Sequence, residues 1–147
     1  MDGAINRRDR LVVYGSLRAG FDTQRRLGID RMLRLLGPAV VAGRLHDLGA
    51  YPALTQGNVA VAGELYEVLD PAVGDVLDPF EGYDPAEPEA SQYVRERVML
   101  ISPPGVEAWV YRHRAPLDDT SLVRGGDWVA HLAAASRDGT LGPADGP

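Results

Sequence analysis

Short apolar runs separated by turn residues predict six β-strands along the chain. The first run, residues 11–14, is apolar and β-branched and ends at Gly15 and Ser16, which is typical of a buried strand that leads into a tight loop. Residues 59–68 place Val59, Val61 and Leu65 on one face by the two-residue period of a strand. The other strands are predicted at residues 39–45, 51–54, 93–101 and 107–111, the last two as a hairpin.

A first helix is predicted to begin at Asp22, which has the side chain of a helix N-cap. Apolar residues then recur at helical intervals, and Gly37 followed by Pro38 is the predicted stop. Gly28 lies inside this segment and weakens the helix by about 1 kcal/mol. The apolar positions that carry this prediction are Leu27, Met32, Leu35 and Leu36.

Two further helices are predicted in the second half of the chain. Asp70 followed by Pro71 is a strong helix start, and the next apolar residues form one stripe at the i, i+3, i+4 and i+7 positions. Gly126 and Asp127 are expected to cap a last short helix that contains Trp128. The stripe of the first of these helices consists of Val73, Val76, Leu77 and Phe80.

These elements predict one α+β domain over residues 10–135, built on a small curled sheet. A length of 147 residues fits one domain, and a hydrophobic content of 45% is enough for a core. The polar residues 1–9 and the Gly-, Asp- and Pro-rich residues 136–147 are expected to be flexible termini.

Composition removes many classes of function. All 15 basic residues are Arg, so a Schiff-base lysine and a P-loop lysine are excluded, and the absence of Cys excludes thiol nucleophiles and thiolate metal sites. A net charge of −6 argues against nucleic acid as a partner. No apolar run approaches the ~20 residues of a membrane span, and the charged N-terminus does not have the pattern of a signal peptide, so a cytoplasmic location is expected.

The remaining candidates for proton transfer are carboxylates, tyrosines and three histidines. His46, His113 and His131 are scattered, and none has the spacing of a metal ligand pair, so neither a metal nor a cofactor is expected. Ser16 lies in a Tyr-Gly-Ser-Leu sequence and not in the Gly-x-Ser-x-Gly elbow of a serine hydrolase.

Five short motifs occur together and in order between residues 10 and 115. Tyr-Gly-Ser-Leu at residues 14–17 follows the first predicted strand, and Gly-Arg-Leu-His-Asp-Leu-Gly-Ala-Tyr-Pro-Ala-Leu occupies residues 43–54. Gly-Glu-Leu-Tyr-Glu-Val at 63–68, Leu-Asp-Pro-Phe-Glu-Gly at 77–82 and Tyr-Val-Arg at 93–95 complete the set. This combination resembles the γ-glutamylcyclotransferase superfamily, in particular its small bacterial γ-glutamylamine-cyclotransferase-like members.

The resemblance implies a fold, a reaction and a set of site residues. The fold is a small β-barrel of mixed strands flanked by short helices, with a pocket beside the Tyr-Gly-Ser-Leu loop. The reaction converts a γ-glutamyl amine or amino acid to 5-oxoproline and releases the amine, without a metal. By resemblance Glu81 is the catalytic acid–base, and the expected substrate-binding residues are Tyr14, Gly15, Ser16, Leu17 and Tyr93.

These roles are chemically reasonable for the residues themselves. The attacking ammonium of a γ-glutamyl group loses a proton and the leaving amine gains one, so one carboxylate within reach of both nitrogens is sufficient. A useful base near neutral pH needs a pKa of about 6–7, above the ~4.3 of an ordinary Glu, and Phe80 beside Glu81 favours the necessary desolvation. Backbone N–H groups of a Gly-containing turn make a concave anion site.

Several alternatives stay open at the level of the sequence. Arg18 either adds positive charge to the site or points to solvent, Arg95 is a candidate partner for a carboxylate at the pocket mouth, and Glu64 is a rival acid. A binding module that senses a small carboxylate metabolite in the same pocket is the alternative function. The sequence specifies neither the leaving amine nor the oligomeric state.

Overall fold

The computed structural model of the chain describes residues 3–137. Five strands and three α-helices make up the domain, with two 3₁₀ turns at Pro88–Ala90 and Asp119–Ser121. The strands are β1 (Arg10–Val13), β2 (Leu33–Asp47), β3 (Pro52–Val68), β4 (Tyr93–Met99) and β5 (Glu107–His113). The helices are α1 (Thr23–Arg26), α2 (Val73–Phe80) and α3 (Trp128–Arg137).

The strands form one mixed sheet in the order β2-β3-β1-β5-β4. β1 lies at the centre, antiparallel to β3 and parallel to β5. One isolated bridge between Val40 and Ser102 brings β2 near the segment that follows β4, but within residues 3–137 no continuous ladder joins β2 to β4. The sheet is therefore not closed, and the expected barrel is not confirmed.

Two of the expected strands are one strand in the structure. β3 (Pro52–Val68) includes residues 52–54 of the first predicted segment and all of 59–68, and it pairs with β2 along almost its whole length. The pairing register shifts between Gly43 and Arg44, where residues 56–58 bulge out of the ladder. The prediction of six strands was wrong for this reason, because the turn-like residues at 56–58 form a bulge inside a strand and do not end it.

The first predicted helix is also much shorter than expected. α1 ends at Arg26, and the predicted helical positions Leu35 and Leu36 lie in strand β2. Gly28 has a φ of +74°, a left-handed conformation that ends the helix. Residues 33–35 then pair with residues 66–68 of β3, so long-range pairing overrides the helical spacing of the leucines.

The other predicted elements are confirmed. α2 begins at Val73 rather than at Pro71, with Ala72 as the N-cap, and the side chain of Asp70 accepts a hydrogen bond from the Ala72 N–H in the preceding turn. β4 and β5 form the expected hairpin. Asp127 accepts a hydrogen bond from Ala130 N–H at the start of α3, as expected of a helix cap.

Two apolar clusters lie on opposite faces of the sheet. One contains Val12 and Val110 together with Trp128 of α3. The other contains Leu11, Val13 and Tyr111 together with the buried side of α2. α3 thus covers one face and α2 the other, and α2 is the element that carries Glu81 to the sheet.

Of residues 1–9, which were expected to be flexible, residues 1 and 2 lie outside the described residues, and residues 3–9 contact the domain. The side chain of Ile5 is buried beside Gly74 of α2, and Arg8 N–H donates to the carbonyl of Val68. At the other end α3 extends to Arg137, and residues 138–147 of the expected tail lie outside the described residues. Within the described chain, no helix is both long and apolar enough to cross a membrane.

Candidate active site

Glu81 is buried at the C-terminal end of helix α2. Val73 and Leu77 face the sheet four residues apart, and Glu81 follows after another four, so helical geometry carries it to the same buried side. Only 4% of its surface is exposed. Within residues 3–137, Glu81 Oε1 is one of two buried side-chain polar atoms without a hydrogen-bond partner. A buried carboxylate that lacks a partner is costly for folding, which makes it a candidate for function.

A small cavity joins Glu81 to the loop after β1. Its volume is about 10 Å³, room for about one water molecule. Gly15 and Leu17 line it from the loop, and Tyr111 lines it from β5. The complete lining consists of Val12, Val13, Tyr14, Gly15, Leu17, Glu81 and Tyr111. The structure therefore brings the carboxylate and the Tyr-Gly-Ser-Leu loop to one place.

The surroundings of Glu81 favour its protonated form. Burial, and after it the negative charge of Asp78, raises the pKa of Glu81 well above its ordinary value. Burial and the charge of Glu81 likewise raise the pKa of Tyr14, so this tyrosine stays a neutral phenol. The local environment thus shifts the pKa of Glu81 in the direction that a carboxylate base needs near neutral pH.

An ion pair lies one helical turn before Glu81. Asp78 accepts two hydrogen bonds from Arg95, from Nε at 2.9 Å and from Nη2 at 3.1 Å. The Tyr111 hydroxyl donates a third, of 2.6 Å, to the same carboxylate. The guanidinium of Arg95 also lies 4.6 Å from the centre of the Trp109 ring. The sequence made Arg95 a candidate partner for a carboxylate at the pocket mouth. In the structure its carboxylate partner is Asp78.

Sequence reasoning assigned no role to Asp78 or to Tyr111. The i, i+3 spacing of Asp78 and Glu81 on α2 is a signal that would have pointed to Asp78. Nothing local in the sequence identifies Tyr111, because its place at the cavity depends on the parallel pairing of β1 with β5.

Glu64, the alternative candidate for the catalytic acid, lies on β3 and binds the loop that follows β1. Its Oε1 accepts a 2.7 Å hydrogen bond from the Ala19 N–H and a 3.3 Å bond from the Tyr66 hydroxyl. Its Oε2 lies 3.4 Å from Nε of Arg18. Arg18 also contacts Asp127 at 3.0 Å, so its charge is paired within the protein. The Glu64 carboxylate therefore stabilises the loop through its hydrogen bonds, whereas Oε1 of Glu81 has no hydrogen-bond partner among the described residues.

Three of the predicted substrate-binding residues either lie outside the cavity lining or use their hydroxyl in a hydrogen bond within the protein. Tyr14 lines the cavity, but its hydroxyl donates to the Tyr111 carbonyl at 2.7 Å. Ser16 is buried and does not line the cavity. Tyr93 is also buried outside this lining, and its hydroxyl donates to the carbonyl of Pro52 at 3.0 Å. The cavity thus brings together Tyr14, Gly15, Leu17 and Glu81 of the predicted set.

A larger cavity lies elsewhere among the described residues. It is a groove of about 630 Å³ along α2 and the acidic loop after it, with Asp75, Asp84 and Glu87 in its walls. Glu81 is not part of its lining. Over residues 3–137, no three His, Asp or Glu side chains are grouped so that they could hold a metal. The unpartnered carboxylate makes the smaller cavity the better candidate for the site.

Comparison with known proteins identifies the family of the chain. The profile of the family described as "Gamma-glutamyl cyclotransferase, AIG2-like" matches residues 11–130. The chain belongs to this family. It is also 30% identical over 124 residues to the "Gamma-glutamylcyclotransferase family protein YtfP" of Escherichia coli strain K12, a match that covers 82% of this chain and 96% of YtfP.

Solved structures share the fold of this γ-glutamyl cyclotransferase family member. The solution structure of YtfP from Escherichia coli matches with a TM-score of 0.58 and 30% identity, over 83% of this chain and 97% of that one. An uncharacterized protein, PH0828, from Pyrococcus horikoshii matches with a TM-score of 0.62 and 17% identity, over 88% and 97%. The family profile spans residues 11–130, a range that includes every residue of this chain that lines the cavity.

Proposed function

We propose that this chain is a γ-glutamylcyclotransferase that converts a γ-glutamyl amine or amino acid to 5-oxoproline and releases the amine. One observation carries the proposal: the buried carboxylate of Glu81 has an oxygen without a partner and lines a cavity with the Tyr-Gly-Ser-Leu loop. Membership of the family supports the reaction class and gives no support to a binding module without catalysis. The proposed location is the cytoplasm, as expected from the sequence.

In the proposed mechanism Glu81 transfers protons between the two nitrogens of the substrate. The carboxylate takes a proton from the α-ammonium, and the free amine attacks the γ-carbonyl carbon. A C–N bond forms and closes the five-membered ring. The carboxylic acid then protonates the leaving nitrogen, and the old C–N bond breaks. In total the attacking nitrogen loses two protons, and the leaving nitrogen gains two as it departs as an ammonium.

The raised pKa of Glu81 suits both halves of this cycle. A carboxylate with a high pKa is a stronger base toward the ammonium, and its conjugate acid still donates to the leaving amine. The substrate's positive ammonium beside Glu81 favours the ionised form when the substrate binds. In the proposed complex, backbone N–H groups of the loop at Gly15 to Leu17 bind the substrate's α-carboxylate.

The proposal requires the loop to move when the substrate enters. The cavity of about 10 Å³ has room for about one water molecule, and a γ-glutamyl group is many times larger. Leu17 is the apolar side chain that the loop contributes to the lining. Opening of this loop would enlarge the cavity while Glu81 stays fixed on α2.

The test is to incubate the purified protein with a panel of γ-glutamyl amines and γ-glutamyl amino acids and to measure 5-oxoproline. We expect turnover of at least one compound and a loss of about 100-fold or more in Glu81→Gln, because general acid–base catalysis contributes roughly 10²–10⁴ in rate. Glu89→Gln, at an exposed position of the acidic loop, is the matched control and should keep full activity. Saturable binding of these compounds without turnover would overturn the proposal.

A further inference from the structure

A second cavity lies at the C-terminal end of β5. Its volume is about 420 Å³, within the range of small-molecule sites. It shares no residue with the lining of the Glu81 cavity. We call it the Arg114 pocket, and it is lined by Arg44, Thr55, Gln56, Arg112, His113, Arg114, Ala115, Pro116, Leu117 and Asp119.

The lining of the Arg114 pocket is basic in a chain whose net charge is −6. It contains three arginines and one carboxylate, and that carboxylate, Asp119, pairs with Arg44. Arg112 is paired with Glu96 by hydrogen bonds of 2.5 and 3.2 Å. Within residues 3–137 Arg114 forms no ion pair. One guanidinium in the lining therefore keeps an uncompensated charge.

Arg114 is held in place by backbone groups. Its N–H donates to the Gln92 carbonyl at 2.9 Å, and its Nε donates to the Ser91 carbonyl at 3.2 Å. These two bonds fix the backbone and the base of the guanidinium and leave its two terminal nitrogens as donors. Donors fixed in this way lose less freedom when they bind an anion, and the planar guanidinium matches the geometry of carboxylate and phosphate oxygens.

Other groups of the Arg114 pocket complete a site for a small molecule. Gln56 adds an amide, and Ala115, Pro116 and Leu117 add an apolar wall. His113 is oriented by a 2.8 Å hydrogen bond between its Nδ1 and the Ala115 carbonyl. The His113 ring also makes an edge contact with Tyr93 at 5.2 Å between ring centres.

We propose that the Arg114 pocket is a binding site for a small molecule that carries an oxyanion, either a carboxylate or a phosphate. The unpaired, prepositioned guanidinium of Arg114 binds the oxyanion, and the wall formed by residues 115–117 contacts its carbon skeleton. This site is distinct from the cavity of Glu81, so the inference goes beyond the proposed function.

The three histidines provide a direct test in the intact protein. Proton–carbon spectra resolve the Cε1–H of each, and the protein is titrated with inorganic phosphate and, separately, with succinate at constant pH and ionic strength. We expect a saturable shift of the His113 signal, whereas His131, which pairs with Asp47 outside the pocket, should not move. Saturation by phosphate alone assigns a phosphate site, by succinate alone a carboxylate site, and by both a general oxyanion site.

Two variants that each remove one positive charge distinguish a specific anion site from general electrostatic attraction to the protein. Arg114→Gln should weaken the binding of the anion about tenfold, because a charged hydrogen-bond donor is lost. Arg124→Gln removes the same charge at an exposed position outside the pocket and should leave binding unchanged. No saturation in the unmodified protein, or equal weakening by both substitutions, would overturn the inference. These readouts measure binding only, so they are independent of the cyclotransferase assay.

Discussion

The hydroxyl of Tyr111 donates a 2.6 Å hydrogen bond to Oδ1 of Asp78 and so ties strand β5 to helix α2. The same tyrosine lines the cavity beside Glu81, while the carboxylate that it contacts raises the pKa of Glu81. This contact therefore connects Tyr111, in the wall of the proposed active site, to Asp78, whose charge raises the pKa of Glu81. It also fixes the end of α2, from which Glu81 extends.

Tyr111→Phe tests this link with the smallest change. The ring still lines the cavity, and only the hydroxyl that donates to Asp78 is lost. We expect the free energy of unfolding to fall by about 1.5 kcal/mol, the low end for a hydrogen bond to a charged group, as measured by urea denaturation. Tyr83→Phe is the control, because the Tyr83 hydroxyl has no hydrogen bond to the described residues. Equal destabilisation by both substitutions would contradict the role of the Tyr111–Asp78 bond.

Asp78→Asn is expected to change both stability and the pH dependence of activity. The side chain of Arg95 is 5% exposed and would lose its carboxylate partner, so we expect a loss of about 3 kcal/mol in the free energy of unfolding. The charge of Asp78 also raises the pKa of Glu81, second to burial. Its removal should therefore move the acidic limb of the pH–rate profile toward lower pH by a small amount.

The matched control for Asp78→Asn is Asp75→Asn on the exposed side of α2. It removes the same charge from the same helix, outside the Arg95 ion pair. Its pH–rate profile and its urea midpoint should remain close to those of the unmodified protein. An unchanged acidic limb in Asp78→Asn, with activity retained, would show that Asp78 does not influence the active acid.

Substitutions at Glu64 test whether the loop after β1 is positioned from β3. Glu64→Ala removes the acceptor of the Ala19 N–H and the partner of Arg18, and the loop that carries Leu17 loses its anchor. We expect KM to rise about tenfold with a smaller change in kcat, because Glu81 stays on α2. Glu64→Gln keeps an acceptor for the backbone N–H and should restore much of the affinity. A fall in kcat that Gln does not rescue would instead indicate a direct role in catalysis.

The local signals in the sequence were sufficient for part of the fold. The helix over residues 73–80, the hairpin of β4 and β5 and the cap at Asp127 depend on neighbouring residues, and the structure confirms them. Leu35 and Leu36 were assigned to a helix because their spacing is helical, whereas pairing of Leu35 and of Gly37 with β3 places this segment in strand β2. Pairing between distant segments competes with local preference and cannot be seen in periodicity.

The candidate site likewise combines residues that local motifs identify with residues whose positions depend on tertiary contacts. Glu81 and the loop at Gly15 were predicted from motifs, since each occupies a short recognisable segment. Tyr111 and the ion pair of Arg95 with Asp78 join β4, β5 and α2, which are adjacent only after folding. The sequence therefore points to Glu81 and, by helical spacing, could have pointed to Asp78, whereas the burial of Glu81 and the contacts of Asp78 with Arg95 and Tyr111 require the tertiary structure.

The raised pKa of Glu81 predicts how stability depends on pH. The folded state binds the Glu81 proton more tightly than the unfolded state, where the pKa is about 4.3. This contribution to stability is fully present below the unfolded pKa and is lost as the pH rises toward the folded pKa. Across that window a single such group lowers the free energy of unfolding by about 1.4 kcal/mol for each pH unit.

Glu81→Gln removes this titration and keeps the shape of the side chain. We therefore expect the stability of the variant to rise relative to the unmodified protein as the pH increases from about 4.5, measured by urea denaturation at half-unit steps of pH. Glu89→Gln controls for the loss of one carboxylate, because Glu89 is exposed. A stability difference between Glu81→Gln and the unmodified protein that stays constant with pH would mean that Glu81 ionises normally in the folded state. It would then be unsuited to act as the base that the proposed reaction requires.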